Sequence, residues 1–280
     1  MERIKCIMKT LIKIEYGLRD FTIKELHKKF YIKTADSIYI FEETRYDEQL
    51  IQSINDTGQF YRVIMNNRKK YITNVNEKKY ILYKINSQIN NDSYTIMQVN
   101  RRNLRWGLLW SNKLDQIEEQ LTNMPEKIKE TINYYIGLAQ NSILYWNSIK
   151  EKEGKLIIGK RRMDNKVRFD PNNAIIDYPE RNVAEYIKSS FFEENIKLEE
   201  IKKLLSMCQN KNYNMELIFS RLLFPTYYFD EVEDFLENGA INEKRVEKVE
   251  KLQKKYEEIL EYIQETFISK GEKIYWIKKT

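Results

Sequence analysis

Lys155-Leu156-Ile157-Ile158-Gly159-Lys160-Arg161-Arg162-Met163-Asp164 and, shortly after it, Asp170-Pro171-Asn172-Asn173-Ala174-Ile175-Ile176-Asp177-Tyr178 decide how this chain is read. Each sets a short apolar run against a polar cluster, the pattern of two buried strands with functional loops at their ends. Pro179 closes the second strand, and Val183, Ala184 and Ile187 then fall at helical spacing. An Asp directly after a buried β-run and ahead of a helix is where a kinase-type phosphotransferase places the carboxylate that holds magnesium against nucleotide phosphates. The same position suits an aspartate that turns the chain and caps the helix, so Asp177 carries both readings.

Composition narrows the classes around this stretch. A chain of 280 residues with 42% apolar side chains can bury a sizeable core in one large domain or two smaller ones. The net charge of +6 is spread over helical stretches that also carry Glu, which makes an ion-paired surface rather than a nucleic-acid footprint. The densest basic run, Lys160-Arg161-Arg162, is too short to argue for DNA or RNA. Cys6 and Cys208 lie far apart without a CxxC or a neighbouring His, so neither a zinc site nor a disulfide framework is indicated. A single histidine, His27, excludes a His-based triad or a multi-histidine metal site and is expected at the surface. The opening residues 1–14 alternate Lys with apolar residues and make a poor signal peptide, and no later run is long enough to span a bilayer.

Periodicity changes along the chain. A short helix is predicted around residues 23–29, followed by strands at 30–34 and 37–41 joined by Ala35-Asp36 as a hairpin. Leu50, Ile51 and Ile54 predict a helix over 47–54, ended by Asn55-Asp56-Thr57-Gly58. Apolar runs at 60–64, 70–73 and 79–85 complete a small antiparallel sheet. The β-signal stops in the polar stretch 86–93, read as a hinge. Helices follow over 104–121 and 126–149, and later over 198–207, 213–224 and 242–269, with Pro225 breaking the fourth of these. The last has apolar residues at coiled-coil spacing but too few heptads for a long seam, so an intramolecular helix hairpin is expected.

The set Tyr71-Ile72-Thr73, Tyr80-Ile81-Leu82-Tyr83, Leu104-Arg105-Trp106-Gly107-Leu108-Leu109-Trp110, Tyr134-Tyr135-Ile136-Gly137-Leu138-Ala139, Ile175-Ile176-Asp177-Tyr178, Ala184-Glu185-Tyr186-Ile187-Lys188 and Arg221-Leu222-Leu223-Phe224-Pro225 resembles the CotS- and YutH-like spore coat proteins. These belong to the aminoglycoside-phosphotransferase-like kinase superfamily. The resemblance implies an α+β, bilobal, protein-kinase-like fold: a small antiparallel β lobe over 1–85, the hinge at 86–93, and a larger mainly helical lobe over 94–280. It puts Asp177 at the kinase metal position, with ATP and magnesium as the implied cofactors.

The resemblance also marks departures. Kinases of this superfamily carry His-x-Asp on the catalytic loop with an Asn five residues later, so that the Asp takes the substrate hydroxyl proton. Here that strand end reads Gly159-Lys160-Arg161-Arg162, and a guanidinium stays protonated and cannot act as a base. Asp164 and Asn165 lie just beyond as substitutes or as an ordinary polar loop. Lys160, Arg161 and Arg162 are candidate phosphate ligands. By the same resemblance, Phe41 stands in place of the Lys that reaches the α- and β-phosphates. The implied role is therefore that of a catalytically degenerate, cytoplasmic protein deposited on the spore coat, with other coat proteins as partners, no nucleic acid and no membrane span. The alternative is an ATP- and magnesium-dependent phosphotransferase acting on a small hydroxylated or amino-bearing molecule.

Overall fold

A computed structural model of the chain describes residues 2–26, 28–85, 89, 96–97, 105–150, 155–163, 167–194, 196–239 and 241–268, with backbone alone at 2–5 and 96–97. The expected hinge at 86–93 therefore lies, but for residue 89, outside the described residues, as do Asp164 and His27. The fold is bilobal, with a small antiparallel sheet in one unit and a larger helical unit. The described residues of Met1–Met97 and Ile157–Ile176 make the first unit, and those of Gln98–Leu156 and Asp177–Thr280 the second. Segment 157–176 comes after the helices Trp106–Glu119 and Glu126–Ser148 in the chain, yet its side chains pack into the first unit.

In the first unit α1 (Glu2–Tyr16) precedes β1 (Thr22–Leu26), β2 (Lys29–Lys33) and β3 (Ile38–Glu43). After α2 (Glu48–Thr57) come β4 (Arg62–Ile64), β5 (Ile72–Val75) and β6 (Lys78–Lys84). The strands run in the order β1-β2-β3-β6-β4, and β5 shares the outer edge of β6 with β4. The helix expected around 23–29 is instead a hairpin, with Thr22 opposite Lys33 and Leu26 opposite Lys29. The three-residue spacing of Ile23 and Leu26 suggested a helix, but alternate residues of Thr22–Leu26 are exposed, and cross-strand pairing overrides so short a helical signal. The helix predicted over 47–54 forms as α2, with Asp47 capping Leu50 N–H and Gly58 taking the left-handed conformation at the other end.

The sheet has an apolar layer on each face. Phe30, Ile32, Phe41 and Leu82 pack with Met8 and Ile12 of α1. On the opposite face Ile40, Ile81 and Tyr83 pack with Ile51 and Ile54 of α2 and with Ile158 and Ala174 from the later segment. That segment carries β8 (Leu156–Lys160) and β9 (Ala174–Asp177), which with β7 (Ile96–Met97) form a second sheet in the order β7-β8-β9.

The second unit holds α3 (Trp106–Glu119), α4 (Glu126–Ser148), α5 (Pro179–Phe192), α6 (Leu198–Asn210), α7 (Met215–Leu223), α8 (Thr226–Asn238) and α9 (Glu243–Phe267). Gly107 lets α3 cross α4 closely, since a Cβ there would lie 2.8 Å from Trp146 Cδ1. Pro225 ends α7 as expected, and α8 restarts at Thr226. Rather than forming a hairpin with one neighbour, α9 packs on α5, α6, α7 and α8. Cys6 is exposed and Cys208 buried, and both are free. Among the described residues no helix is long and apolar enough to cross a membrane.

Candidate functional site

Strand parity decides which side chains the first sheet presents. On β3, Phe41 turns toward α1, stacked on Tyr80 at 5.0 Å between ring centroids, so the adjacent Glu42 faces the other side. Glu42 lies across the hairpin from Lys29, and the Lys29 ammonium sits 2.6 Å from Glu42 Oε2 and 2.7 Å from Asp170 Oδ2. Tyr83 on β6 donates its hydroxyl to Asp170 Oδ2 at 3.0 Å. Asn172 Nδ2 donates to Glu42 Oε1 at 2.8 Å, and the Thr44 hydroxyl donates to Asn172 Oδ1 at 2.7 Å. Tyr46 donates to the carbonyls of Asn172 and Ala174, and Tyr61 N–H donates to Phe169 O at 2.7 Å. This face of the sheet is thus covered by the chain's own turn at 170–173. Asp170 belongs to the stretch that decided the sequence reading, but Lys29 and Glu42 were not singled out there. Their only sequence signal is a pair of charged residues within otherwise alternating strands.

The three candidate phosphate ligands sit at the end of β8. Lys160 is 4% exposed, with its ammonium 4.7 Å from the centroid of Phe169 and 5.8 Å from that of Phe60. Burial, and then the neighbouring Arg168, lower its pKa to about 8. Arg161 and Arg162 are half-buried. Their backbone is tied to Asn173, which accepts from Arg161 N–H at 2.7 Å and from Arg162 N–H at 2.9 Å. The Lys160 ammonium thus lies against aromatic rings, while the main chain of the two arginines is pinned to Asn173.

Asp177 closes β9 and is counted with the second unit, 3% exposed. Trp106 Nε1 donates to both of its oxygens, at 3.1 and 3.2 Å. Arg181, one helical turn on in α5, donates from Nη1 to Oδ2 at 3.0 Å, and Tyr178 N–H donates to Oδ1 at 2.8 Å. A carboxylate at the start of α5 is also favoured by the helix dipole. The buried charges continue through Arg221, whose guanidinium lies 5.6 Å from the Trp106 and Trp110 rings and binds Glu185 Oε1 from Nε and Nη2 at 2.9 and 2.7 Å. Lys188, 1% exposed, donates to Arg221 O, Phe224 O and Thr226 Oγ1.

Magnesium demands near-octahedral oxygen ligation. Among the described residues no group of three or more His, Cys, Asp or Glu side chains is placed to hold a metal ion, and both Asp177 oxygens already meet N–H donors. Magnesium is usually held by one or two carboxylates, with phosphate and water oxygens completing its shell, and Asp177 is the carboxylate the sequence offers for that role. Asp164 and Asn165 lie outside the described residues.

A family model described as "Spore coat putative kinase YutH" matches residues 10–267. The endospore coat-associated protein YutH of Bacillus subtilis is 26% identical over 160 residues, which span 47% of this chain and 46% of that protein. The chain thus matches less than half the length of that relative. Among solved structures, an AMP-bound spectinomycin phosphotransferase superposes with TM-score 0.59 at 12% identity, covering 94% of this chain and 98% of the other. An aminoglycoside phosphotransferase from Alicyclobacillus acidocaldarius gives TM-score 0.56 at 8% identity, over 90% and 93% of the two chains. Choline kinase from Streptococcus pneumoniae gives 0.51 at 12%, over 93% and 99%. At such identities the likeness is one of fold.

Proposed function

From the premise that the chain belongs to the family of kinase-like spore coat proteins of the YutH type, we propose that it is a catalytically degenerate member, acting as a structural or assembly component of the coat with other coat proteins as partners. The covered face of the first sheet carries this reading. In protein kinases a glycine-rich loop covers the nucleotide phosphates and a lysine on the third strand pairs with them. Here the first two strands meet in a tight hairpin at Leu26 and Lys29, and the third strand offers Glu42 to that face. The nearest ammonium, Lys29, is bound by two carboxylates. At the end of β8, where a carboxylate would take a substrate proton, stands the buried cation of Lys160. Asp177 serves on this reading as the countercharge of Arg181.

Losing a general base removes about 100- to 10,000-fold of rate, and loss of the phosphate-directed cation removes electrostatic stabilisation of comparable size. Isothermal titration of the purified chain with ATP, with and without magnesium, is expected to show no binding heat. A phosphotransfer and ATPase assay beside Asp177→Ala is expected to show equal background in both proteins. Turnover that disappears in Asp177→Ala would overturn the degenerate reading and establish a phosphotransferase.

A further inference from the structure

The Lys29 ammonium is within 2.7 Å of two carboxylates that enter from different parts of the chain, Glu42 on β3 and Asp170 ahead of β9. With both ionised the trio carries a net negative charge in a largely buried place; with one proton between the carboxylates it is neutral. The groups that face it are few. β6 contributes the Tyr83 hydroxyl, the turn contributes Asn172, and the connection into α2 contributes Tyr46, with the Arg45 guanidinium 5.5 Å from the Tyr46 ring centroid. Lys160 and Arg168 lie against the ring of Phe169 rather than on the carboxylates. Glu43, next along β3, is directed to Lys78.

We propose that Lys29, Glu42 and Asp170 form a proton-sensitive latch, which fastens the turn at 170–173 to the first sheet while one proton is shared between the carboxylates and loosens when that proton leaves. The latch rests on the reading that this face is covered by the chain itself. Burial, and next the charge of Asp170, raise the Glu42 carboxyl to about 7 against the opposing pull of Lys29. A loosened turn returns that carboxyl toward 4.5. The latched form thus holds a proton that the loosened form releases. Its stabilisation is complete below 4.5, falls as pH rises to about 7, and is flat above that, where both forms are ionised.

The test is hydrogen exchange at the Asn172 and Asn173 amides, corrected for intrinsic rates, on the full chain between pH 5 and 8.5, with carbon-13 NMR titration of the Asp and Glu carboxyls. Opening is expected to increase by up to about tenfold per pH unit between pH 5 and 7 and then level off. One carboxyl should titrate near 7, and Glu42→Gln, a neutral mimic of the protonated state, should flatten the profile. A wild-type profile without slope, a slope that survives in Glu42→Gln, or both carboxyls titrating below pH 5 would overturn the latch. The wild-type titration decides alone if the variant does not fold. ATP bound at any pH would remove the covered-face reading instead, whereas a flat titration with ATP still excluded removes only the latch.

Discussion

Asp177 shows how one residue serves two chemistries according to its neighbours. The Asp177 carboxylate accepts from Trp106, Arg181 and the Tyr178 amide. The Asp177–Arg181 pair is buried on both sides, with side chains 4% and 8% exposed. Such a pair adds little net stability over a well-packed apolar replacement, but breaking it from one side strands a charge. Arg181→Met is therefore expected to lower unfolding stability by about 3–5 kcal/mol in urea titrations. The double variant with Asp177→Asn should recover part of that loss; a single variant as stable as wild type would refute the pairing. The aspartate was legible in the sequence from its place after an apolar run. Trp106 was present in a quoted motif, but its meeting with Asp177 was not legible, because a residue about seventy positions away leaves no periodic trace.

At the level of elements, the junction of α7 and α8 explains why Ala184-Glu185-Tyr186-Ile187-Lys188 and Arg221-Leu222-Leu223-Phe224-Pro225 occur together. Pro225 has no amide proton, so carbonyls at the end of α7 lose an intrahelical donor. Lys188 reaches from α5 to supply it, donating to Arg221 O at 2.6 Å, Phe224 O at 2.8 Å and Thr226 Oγ1 at 3.0 Å. Lysine at a helix C-terminus also meets the negative end of the dipole. Lys188→Met keeps the apolar stem and removes the donors. Phe224 O keeps the Thr226 N–H, so the variant strands Arg221 O, and a loss of about 1–3 kcal/mol is expected in chemical unfolding. An unchanged midpoint would show that other donors satisfy these carbonyls. The break at Pro225 was readable because proline acts locally. Of the β1–β2 hairpin, β2 was read as a strand, whereas β1 was missed because Ile23 and Leu26 stand at a chance helical spacing.

For the whole molecule, the assignment of 157–176 to the first unit is the main departure from chain order. Ile158 and Ala174 complete the core beneath the sheet, and the turn at 170–173 supplies partners for Lys29, Glu42, Thr44, Tyr46 and Tyr83. A fragment ending at residue 97 would expose that apolar layer and leave buried polar groups unpaired. It is expected to lack a cooperative unfolding transition by circular dichroism, and appending 157–176 through a flexible linker should restore one. A 1–97 fragment that unfolds cooperatively by itself would mean that the later segment only decorates the first unit.

Most of the elements and the family were legible in the sequence: alternation before residue 85, helical spacing after residue 104, the two short strands around 156–160 and 174–177, and the motif set that resembles the kinase-like coat proteins. These signals are local, since periodicity, proline and capping residues act within a few positions. Tertiary structure alone decided what the charged residues do. That Lys160 is buried against aromatic rings, that Lys29 is bridged by Glu42 and Asp170, and that Asp177 meets Trp106 and Arg181 depend on which side chains share a buried volume. In low dielectric that choice of neighbours sets charge, pKa and available lone pairs.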